Sequence, residues 1–239
     1  MKSIIVSFIV SIVCCTAAFA QENKLPSIDK EWTIEDYKSF NNYLNTISLD
    51  SYPTLKNEKT KALFQKIISN HYKSFLRDEA ISLDVKGPYM MNYQKNIGEV
   101  LSKYLAGYAK GNDFGIELMH LEGTAIDISA EMIPMIREFM KTLDKNDKTY
   151  QVRMNGIKQM RLGLKQQLEG VWIIIRDTEN LSTEERIILS EYFLNAAVSI
   201  LNFIDPADKK EFVTKVKKYI PFEPNQKVKT LLSQLLSKV

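Results

Sequence analysis

The sequence predicts an all-α protein, a single-domain bundle of seven or eight helices that follows a cleaved signal peptide. Three observations lead to this prediction. Apolar residues recur at steps of three and four along most of the chain, which is the spacing of one helix face. Polar residues such as Ser182 and Glu185 form capping motifs typical of helix starts. No stretch shows the strict apolar and polar alternation of a half-buried strand.

The first twenty residues have the features of a secretory signal peptide. Lys2 gives a short positive start, residues 4–20 form an apolar run, and residues 18–20 read Ala-Phe-Ala, a small-x-small cleavage pattern. An uncleaved membrane anchor would need about 20 apolar residues, whereas this run has 17 and includes hydroxyl side chains. We therefore expect cleavage after Ala20 and export to the periplasm or the medium, with a bacterium as the expected source.

Both cysteines, Cys14 and Cys15, lie in this segment, so the mature chain is expected to contain no thiol. That expectation excludes disulfides, thiolate metal sites and a cysteine nucleophile after processing. Neither cysteine follows the small residue of a lipoprotein signal, so lipidation is not expected. Removing 20 of the 239 residues leaves 219, which is enough to bury one sizeable core without disulfides.

The charge of the chain is nearly balanced, with a formal net charge of +3. Residues 206–239 carry eight lysines and three acidic residues, so the positive charge is concentrated in this part. A mild basic tail in an exported protein does not predict nucleic-acid binding. The two lysine-bearing amphipathic helices expected there could contact an anionic membrane surface, or could pack as the closing hairpin of the bundle. No second long apolar run predicts a transmembrane segment in the mature chain.

The chain from residue 21 onward divides into a flexible lead-in, residues 21–31, and a helical domain, residues 32–239. Thr33 is expected to cap a first helix that ends near Ile47, with Asp36 in the capping position three residues later. A second helix is predicted over residues 57–76, from the spacing of its apolar residues.

The dipeptide Gly87-Pro88 predicts a break before a third helix, which ends at residues 111–113. Residues 114–143 are predicted to be the central helix, with a kink or break at Pro134 because proline removes one backbone donor. One face of this helix is expected to be buried; its apolar residues are Phe114, Leu118, Leu121, Ala125, Ile128, Met132, Ile136, Phe139 and Leu143.

A helix over residues 150–176 is predicted to form an antiparallel hairpin with the central helix. Gly156, Gly163 and Gly170 recur every seven residues along one line of it, which suggests a neighbouring helix packed close against that line. Residues 171–175 are apolar all round, so deep burial is expected there. One flank of this helix is basic, with Lys158, Arg161 and Lys165. It could pair with the acidic face of the central helix, bind an anionic partner, or be solvated.

Three further helices complete the predicted bundle. Ser182 and Glu185 form a capping box that opens a helix to about Ile204. Asp205 and Pro206 then have the order of a cap followed by a first-turn proline, which predicts a helix to Tyr219. Apolar residues at helical spacing from Val228 to Val239 predict the last helix.

The second face of the central helix is acidic and carries one of the two histidines. Glu117 and His120 have the Glu-x-x-His spacing that di-iron bundles use twice, and no second copy is present. A site of two histidines and a carboxylate would need His71 to approach this face, and zinc or iron would suit such ligands. The alternative is a solvated acidic face with a surface histidine. The metal hypothesis names Glu117, His120, Asp127 and Glu131 as ligands.

Other chemistries have weaker support. Glycoside hydrolysis would need two of the acids in a cleft, with Glu122 among the candidates, and nothing singles out a pair. No G-x-S-x-G motif predicts a serine nucleophile, and no glycine-rich loop precedes a helix to bind phosphate. An apolar ligand pocket is an alternative to ordinary core for one aromatic group, Tyr89, Met90, Met91, Tyr93, Tyr104 and Tyr108.

These observations favour a non-enzymatic binding protein or an accessory protein of the cell envelope. Its expected partner is another envelope protein, and no cofactor is expected. The alternatives are a metal-binding or hydrolytic protein that uses His120 and the acids around it, and a carrier of an apolar small molecule.

Overall fold

The computed structural model describes residues 25–239, and every regular element in this range is helical, which confirms the all-α prediction for that part of the chain. The predicted signal peptide and its cleavage site lie outside the described residues. The α-helices are α1 (Ile34–Leu44), α2 (Lys61–Ile67), α3 (His71–Arg77), α4 (Leu83–Ala109), α5 (Gly115–Lys141), α6 (Tyr150–Ile175), α7 (Thr183–Leu201), α8 (Pro206–Tyr219) and α9 (Gln226–Lys238). Short 3-10 turns occupy Leu49–Ser51 and Ile220–Phe222.

All eight segments that were expected to be helical are helical, but the segment over residues 57–76 is two helices, α2 and α3. Counted separately, they bring the described residues to nine α-helices. The interruption falls at residues 68–70, where the Ser69 carbonyl accepts a hydrogen bond from the Tyr93 hydroxyl of α4 at 3.3 Å. A contact with a neighbouring helix therefore replaces the helical bonding that the apolar spacing predicted.

Neither interior proline ends a helix, so the break predicted at Gly87-Pro88 was wrong, and of the kink or break predicted at Pro134 the break was wrong. α4 begins at Leu83, and Pro88 lies in its second turn, where the ring deprives only the carbonyl of exposed Asp84 of its helical donor. α5 continues past exposed Pro134 to Lys141. Buried Ile133 and Ile136 lie on either side of that proline, so packing against the core holds the helix in one piece.

The predicted helix starts at Thr33 and Ser182 are confirmed in atomic detail. The Thr33 hydroxyl accepts from the Asp36 amide while the Asp36 carboxylate accepts from the Thr33 amide at 2.8 Å. Ser182 and Glu185 form the same reciprocal pair at the start of α7. Each box satisfies two amide donors that have no partner inside the helix.

α5 is the central helix, and it packs most extensively against α7 and α4. Five of the nine residues predicted for its apolar stripe are buried, with Leu121 and Ile128 fully inaccessible to water, and the other four are partly buried. The alternative of a solvated acidic face was wrong for Glu117 and Asp127, which are only 1% and 9% exposed. A helix surrounded by neighbours on most sides buries polar residues as well, and these must find partners within the chain.

Within residues 25–239 no helix packs against the glycine line of α6, contrary to the prediction. A methyl group added at Gly156, Gly163 or Gly170 would meet no atom within 4 Å. α6 rests mainly on α7, with fewer contacts to α5. The expected deep burial of residues 171–175 holds for Val171, Trp172 and Ile175, whereas Ile173 is 51% exposed on the outer side.

The basic flank of α6 does not form ion pairs with the acidic residues of α5. The Lys165 ammonium lies 2.7 Å from the Asp208 carboxylate of α8, and the Arg161 guanidinium lies over the Phe203 ring, 5.0 Å from its centroid. Asp127 and Glu131 of α5 pair with Lys73 of α3 instead, and this flank faces the C-terminal half of the bundle.

The last two helices close the bundle. Phe212 and Val216 of α8 and Val228 and Leu232 of α9 are buried in the core, and α9 packs along α7. All the buried apolar residues from Trp32 to Leu235 belong to one continuous cluster. Among residues 25–239, no helix combines the length and the apolar character needed to cross a membrane.

Candidate functional site

Three of the four predicted ligands, His120, Asp127 and Glu131, belong to one group of polar side chains between α5, α3 and α7. Glu117 lies elsewhere. The sequence patterns did not identify the partners that α3 and α7 contribute. We call this group the α5 polar cluster; its members are Tyr72, Lys73, Arg77, His120, Thr124, Asp127, Glu131 and Tyr192.

Asp127 is the centre of the α5 polar cluster. The Tyr72 hydroxyl donates a hydrogen bond to its Oδ2 atom, and the Lys73 ammonium lies 2.7 Å from the same oxygen. Tyr72 is 1% exposed, and burial together with the negative charge of Asp127 raises the pKa of its phenol well above the ordinary value. The phenol therefore keeps its proton and remains a donor, so both groups on α3 hold the aspartate in place.

Glu131 closes the exposed end of the cluster. One of its oxygens lies 3.5 Å from the Lys73 ammonium and 3.5 Å from the Arg77 guanidinium, which is itself 70% exposed. Pairs of this length at the surface contribute little to stability. With Lys73 and Arg77 against Asp127 and Glu131, the two positive and two negative charges balance.

His120 and Tyr192 form the end of the cluster that faces α7. The His120 Nδ1 atom lies 3.2 Å from the Tyr192 hydroxyl, and burial lowers the pKa of the imidazole. The Tyr192 ring lies so close to the backbone of Gly123 that a methyl group there would overlap it. An interior helical glycine was the one sequence signal that could have indicated this contact, since glycine lowers helix stability unless a neighbour requires it.

Glu117 serves a separate structural purpose. It is 1% exposed, and its Oε1 atom accepts a hydrogen bond from the Leu55 amide at 2.7 Å. The neighbouring Tyr104 hydroxyl donates to the Pro53 carbonyl at 2.6 Å, so α4 and α5 together hold the loop that precedes α2. Ten residues of α5, about 15 Å, separate Glu117 from Asp127.

The histidines lie in different surroundings. His71 stacks on Tyr37 at 5.9 Å and has its Nδ1 atom 3.0 Å from the Ser69 hydroxyl, whereas His120 contacts Tyr192. Within residues 25–239 no group of three or more His, Cys, Asp and Glu side chains is arranged to hold a metal ion. The metal hypothesis gains no support from this arrangement, and metal analysis of the purified protein is its direct test.

Glu122 differs from the other acids of α5. It makes no hydrogen bond or ion pair with residues 25–239, and burial raises the pKa of its carboxyl to about 7. The residue is partly exposed, and its carboxylate oxygens are not fully shielded from water. A carboxyl with this raised pKa titrates near neutral pH.

The aromatic group of α4 is part of the core. Met90, Tyr93 and Tyr104 are inaccessible to water, and the two tyrosines bond to the carbonyls of Ser69 and Pro53. Met91, in contrast, is 67% exposed. These side chains fill the interior instead of lining a common pocket, which weakens the carrier hypothesis.

A second feature, which the sequence patterns did not identify as a surface, lies on the outer side of α6. Ten residues there carry no charge and occupy an arc of about 160° around the helix. Gly170 is partly exposed, and the others are exposed. We call this surface the α6 outer face; it consists of Val152, Asn155, Gly156, Gln159, Met160, Leu162, Gly163, Gln166, Gly170 and Ile173.

The charged residues of α6 lie outside this arc, and most are engaged by the rest of the chain. Arg153 lies over the Phe139 ring at 5.9 Å, and Arg161 lies over Phe203. Lys165 pairs with Asp208, and Glu169 lies 3.2 Å from the ammonium of Lys215. Arg161, Lys165 and Glu169 are thus partly buried by contacts with the bundle, whereas Arg153 and Lys158 are exposed beside the uncharged face.

Comparisons with known proteins supply no functional assignment. The chain matches no family model, no curated protein and no solved structure. The two features described above are therefore the basis on which a function can be argued.

Proposed function

We propose that this chain is an exported, non-enzymatic binding protein of the cell envelope, and that its contact surface is the α6 outer face. The observation that carries the proposal is the uncharged, exposed outer face of α6. A surface helix normally turns its charged residues to solvent and its apolar and small residues inward. α6 buries one apolar stripe in the bundle and presents a second uncharged surface on the outside.

Exposed apolar side chains give this surface its affinity. Val152, Leu162 and Ile173 are 72%, 47% and 51% exposed, and they lie along some 32 Å of helix, at about 1.5 Å per residue. Single exposed apolar residues are ordinary, but a run of them along one uncharged face marks an interaction surface. Burial of these side chains by a partner would remove apolar area from water.

The three glycines explain how a partner could approach. Each glycine lowers the stability of a helix interior by roughly 1 kcal/mol relative to alanine, and no contact with the described residues requires their lack of a side chain. A partner helix packed along the line of Gly156, Gly163 and Gly170 would meet the backbone directly. Their retention is then a consequence of binding rather than of folding.

The α5 polar cluster fits this proposal as a structural element. Its carboxylates already accept bonds from Tyr72, Lys73 and Arg77, so it ties α3 to the central helix. Export would follow from the signal peptide predicted over residues 1–20.

Photo-cross-linking in the producing cell tests the binding surface. A photoreactive amino acid replaces Gln159 on the α6 outer face, and a control replaces Ser102, an exposed residue of α4. We expect a discrete covalent adduct from position 159 and none from position 102, and we expect Gly163→Glu to abolish it by placing a charge on the face. Adducts that form equally from both positions, or that survive Gly163→Glu, would contradict the proposal.

A further inference from the structure

We infer that the loop between α8 and α9 is a membrane-contact site, which places Phe222 in the interfacial region of an anionic phospholipid bilayer. This inference goes beyond the proposed function, because it concerns a second surface that shares no residue with the α6 outer face. We call this loop the α8–α9 tip; it consists of residues 220–225.

Phe222 is the most exposed large apolar side chain among residues 25–239, with 80% of its surface accessible to water. Pro221 and Pro224 are exposed as well, so the tip presents three apolar residues to solvent. A single exposed apolar residue is ordinary. The case for a contact site therefore depends on how the tip is held and on the charges around it.

The α8–α9 tip is held in place by Glu223, the residue after Phe222. The Glu223 carboxylate is buried, and it accepts hydrogen bonds from the Tyr219 hydroxyl at 2.7 Å and from the Asn225 amide at 2.8 Å. Tyr219 is the last residue of α8 and Asn225 caps α9, so one side chain joins the two helix ends. Phe222 is thus presented by a loop that is already ordered, and little conformational freedom would be lost on binding.

The charges around the tip are positive. Four lysines occupy the last turn of α8 and the first four residues of α9; they are Lys217, Lys218, Lys227 and Lys229. The Lys227 ammonium lies 2.5 Å from the Glu191 carboxylate of α7, whereas the other three form no ion pair within residues 25–239. Glu223 is the only acidic side chain in residues 217–239, and it is buried against Arg186.

This combination of one exposed aromatic ring and surrounding lysines suits an anionic bilayer. Lysines are attracted to an anionic leaflet over a Debye length, about 10 Å at moderate salt, so those at the helix ends contribute without touching a lipid. A phenyl ring at the level of the headgroups adds burial of apolar surface. Long lysine side chains adjust to a fluid surface more readily than to the fixed pocket of a partner protein.

The contact is limited to the tip. The sequence left open whether α8 and α9 lie on a membrane or close the bundle, and a helix that lies on a membrane inserts its apolar face. Phe212 and Val216 of α8 and Val228 and Leu232 of α9 are buried in the core, so these apolar faces are already covered. We therefore expect weak, reversible binding.

Vesicle co-sedimentation of the purified chain tests the contact. We expect binding to phosphatidylcholine vesicles that contain about 30% phosphatidylglycerol, and at least about tenfold weaker binding to pure phosphatidylcholine. Raising the salt concentration to about 0.5 M should weaken the binding, because salt screens the lysines. Equal binding to both kinds of vesicle, or binding to neither, would overturn the inference.

Substitutions of the lysines locate the charge effect. Lys217→Ala combined with Lys218→Ala should weaken binding to the anionic vesicles about twentyfold, at about fivefold for each lysine. Lys145→Ala combined with Lys148→Ala removes the same charge from the exposed loop between α5 and α6, and should bind as the wild type does. Equal weakening by both pairs would reveal an effect of net charge and would overturn the assignment to the tip.

Substitutions of the aromatic ring test its insertion. Phe222→Ala should weaken binding about tenfold, because the apolar ring is lost. Val152→Ala, at a 72% exposed position of α6, is the matched control and should have no effect. Phe222→Trp should retain the affinity, and its indole would be the only exposed one, since Trp32 and Trp172 are 1% and 2% exposed.

The fluorescence of that indole should shift to shorter wavelength on anionic vesicles, and lipids brominated along their acyl chains should quench it. Binding without either change would overturn insertion at the tip. Because Phe222 is exposed, these substitutions should not prevent folding.

The outcomes separate this inference from the proposed function. Gly163→Glu should leave vesicle binding unchanged, so loss of the photo-adduct at position 159 with intact vesicle binding would remove the proposed function alone. A photoreactive amino acid at position 222 that forms a discrete adduct with a protein, in a chain that binds no vesicles, would overturn the bilayer as the partner of the tip.

Discussion

The Arg186 guanidinium donates to the Glu223 carboxylate in the interior of the bundle, where the two side chains are 3% and 0% exposed. The same carboxylate accepts from the Tyr219 hydroxyl at 2.7 Å and from the Asn225 amide at 2.8 Å. Arg186 also donates through Nε to the Ile175 carbonyl at the end of α6. One buried network thus joins α6, α7 and the segment between α8 and α9.

Removing one partner of this pair should be strongly destabilising. Glu223→Ala leaves the Arg186 charge buried without its counterion, and we expect a loss of about 3–5 kcal/mol in the free energy of unfolding. Urea denaturation followed by circular dichroism measures it. Glu211→Ala, which removes an exposed partner of Lys215, is the matched control and should leave the midpoint nearly unchanged. Similar midpoints for both variants would show that the network is not a stabilising contact.

Ionisation of the Glu122 carboxyl should lower the free energy of unfolding as the pH rises. Its pKa is raised by burial to about 7 in the folded chain and lies near 4.5 when unfolded. The folded state therefore binds the extra proton between these values, and stability falls as the pH rises from about 4.5 to 7.

We expect Glu122→Gln to stabilise the protein by about 1–2 kcal/mol at pH 8 and to have little effect at pH 4. Denaturant titrations of both proteins at the two pH values measure the difference. A gain that is equal at both pH values would contradict the titration and indicate a packing effect instead.

His71 should produce the opposite trend. Its imidazole is largely buried, its Nε2 atom has no hydrogen-bond partner among the described residues, and burial lowers its pKa. The unfolded chain binds the proton more readily, so this contribution to stability is lost as the pH falls below about 6.5.

His71→Phe keeps a ring against Tyr37 and removes the titration. We expect the variant to lose less stability than the wild type between pH 7.5 and pH 5, as measured by urea denaturation. Ser69→Ala, which removes the hydroxyl beside Nδ1 but keeps the imidazole, should retain the wild-type pH dependence. An unchanged pH dependence in His71→Phe would remove the prediction.

Two glycines in helix interiors should respond in opposite directions to the same substitution. Gly123→Ala places a methyl group against the Tyr192 ring, and we expect a loss of about 1–3 kcal/mol. Gly163→Ala adds a methyl group in open space, so its higher helix propensity should stabilise the chain by about 0.5–1 kcal/mol. Thermal unfolding of the two variants at low micromolar concentration compares their stabilities with that of the wild type. A change in stability of the same sign for both variants would contradict the difference between these two environments.

The signal peptide prediction concerns residues outside the described range. We expect the exported protein to begin at Gln21, which N-terminal sequencing or intact mass measures directly. Ala20→Arg replaces the small residue before the cleavage site, so the precursor should accumulate uncleaved. An exported wild-type chain that retains its first twenty residues would point to an anchor instead.

Local sequence patterns located most of the described helices and two of their capping boxes. The capping boxes at Thr33 and Ser182 involve residues only three apart, so local spacing identified them. The apolar stripe of α5 follows for the same reason, because a helix repeats every 3.6 residues whatever surrounds it. The interruption near Ser69 was missed, since its cause is the hydroxyl of Tyr93 on another helix.

Which residues cover each face of a helix depends on the tertiary structure. Asp127 in the sequence looks like part of a solvated acidic surface, and it is buried because Tyr72 and Lys73 are brought against it. Gly123 and Gly163 are both interior helical glycines, yet one touches a tyrosine and the other faces open space. Periodicity reports which residues share a face of a helix. Whether another helix occupies that face depends on contacts between residues far apart in the chain, and no local pattern records them.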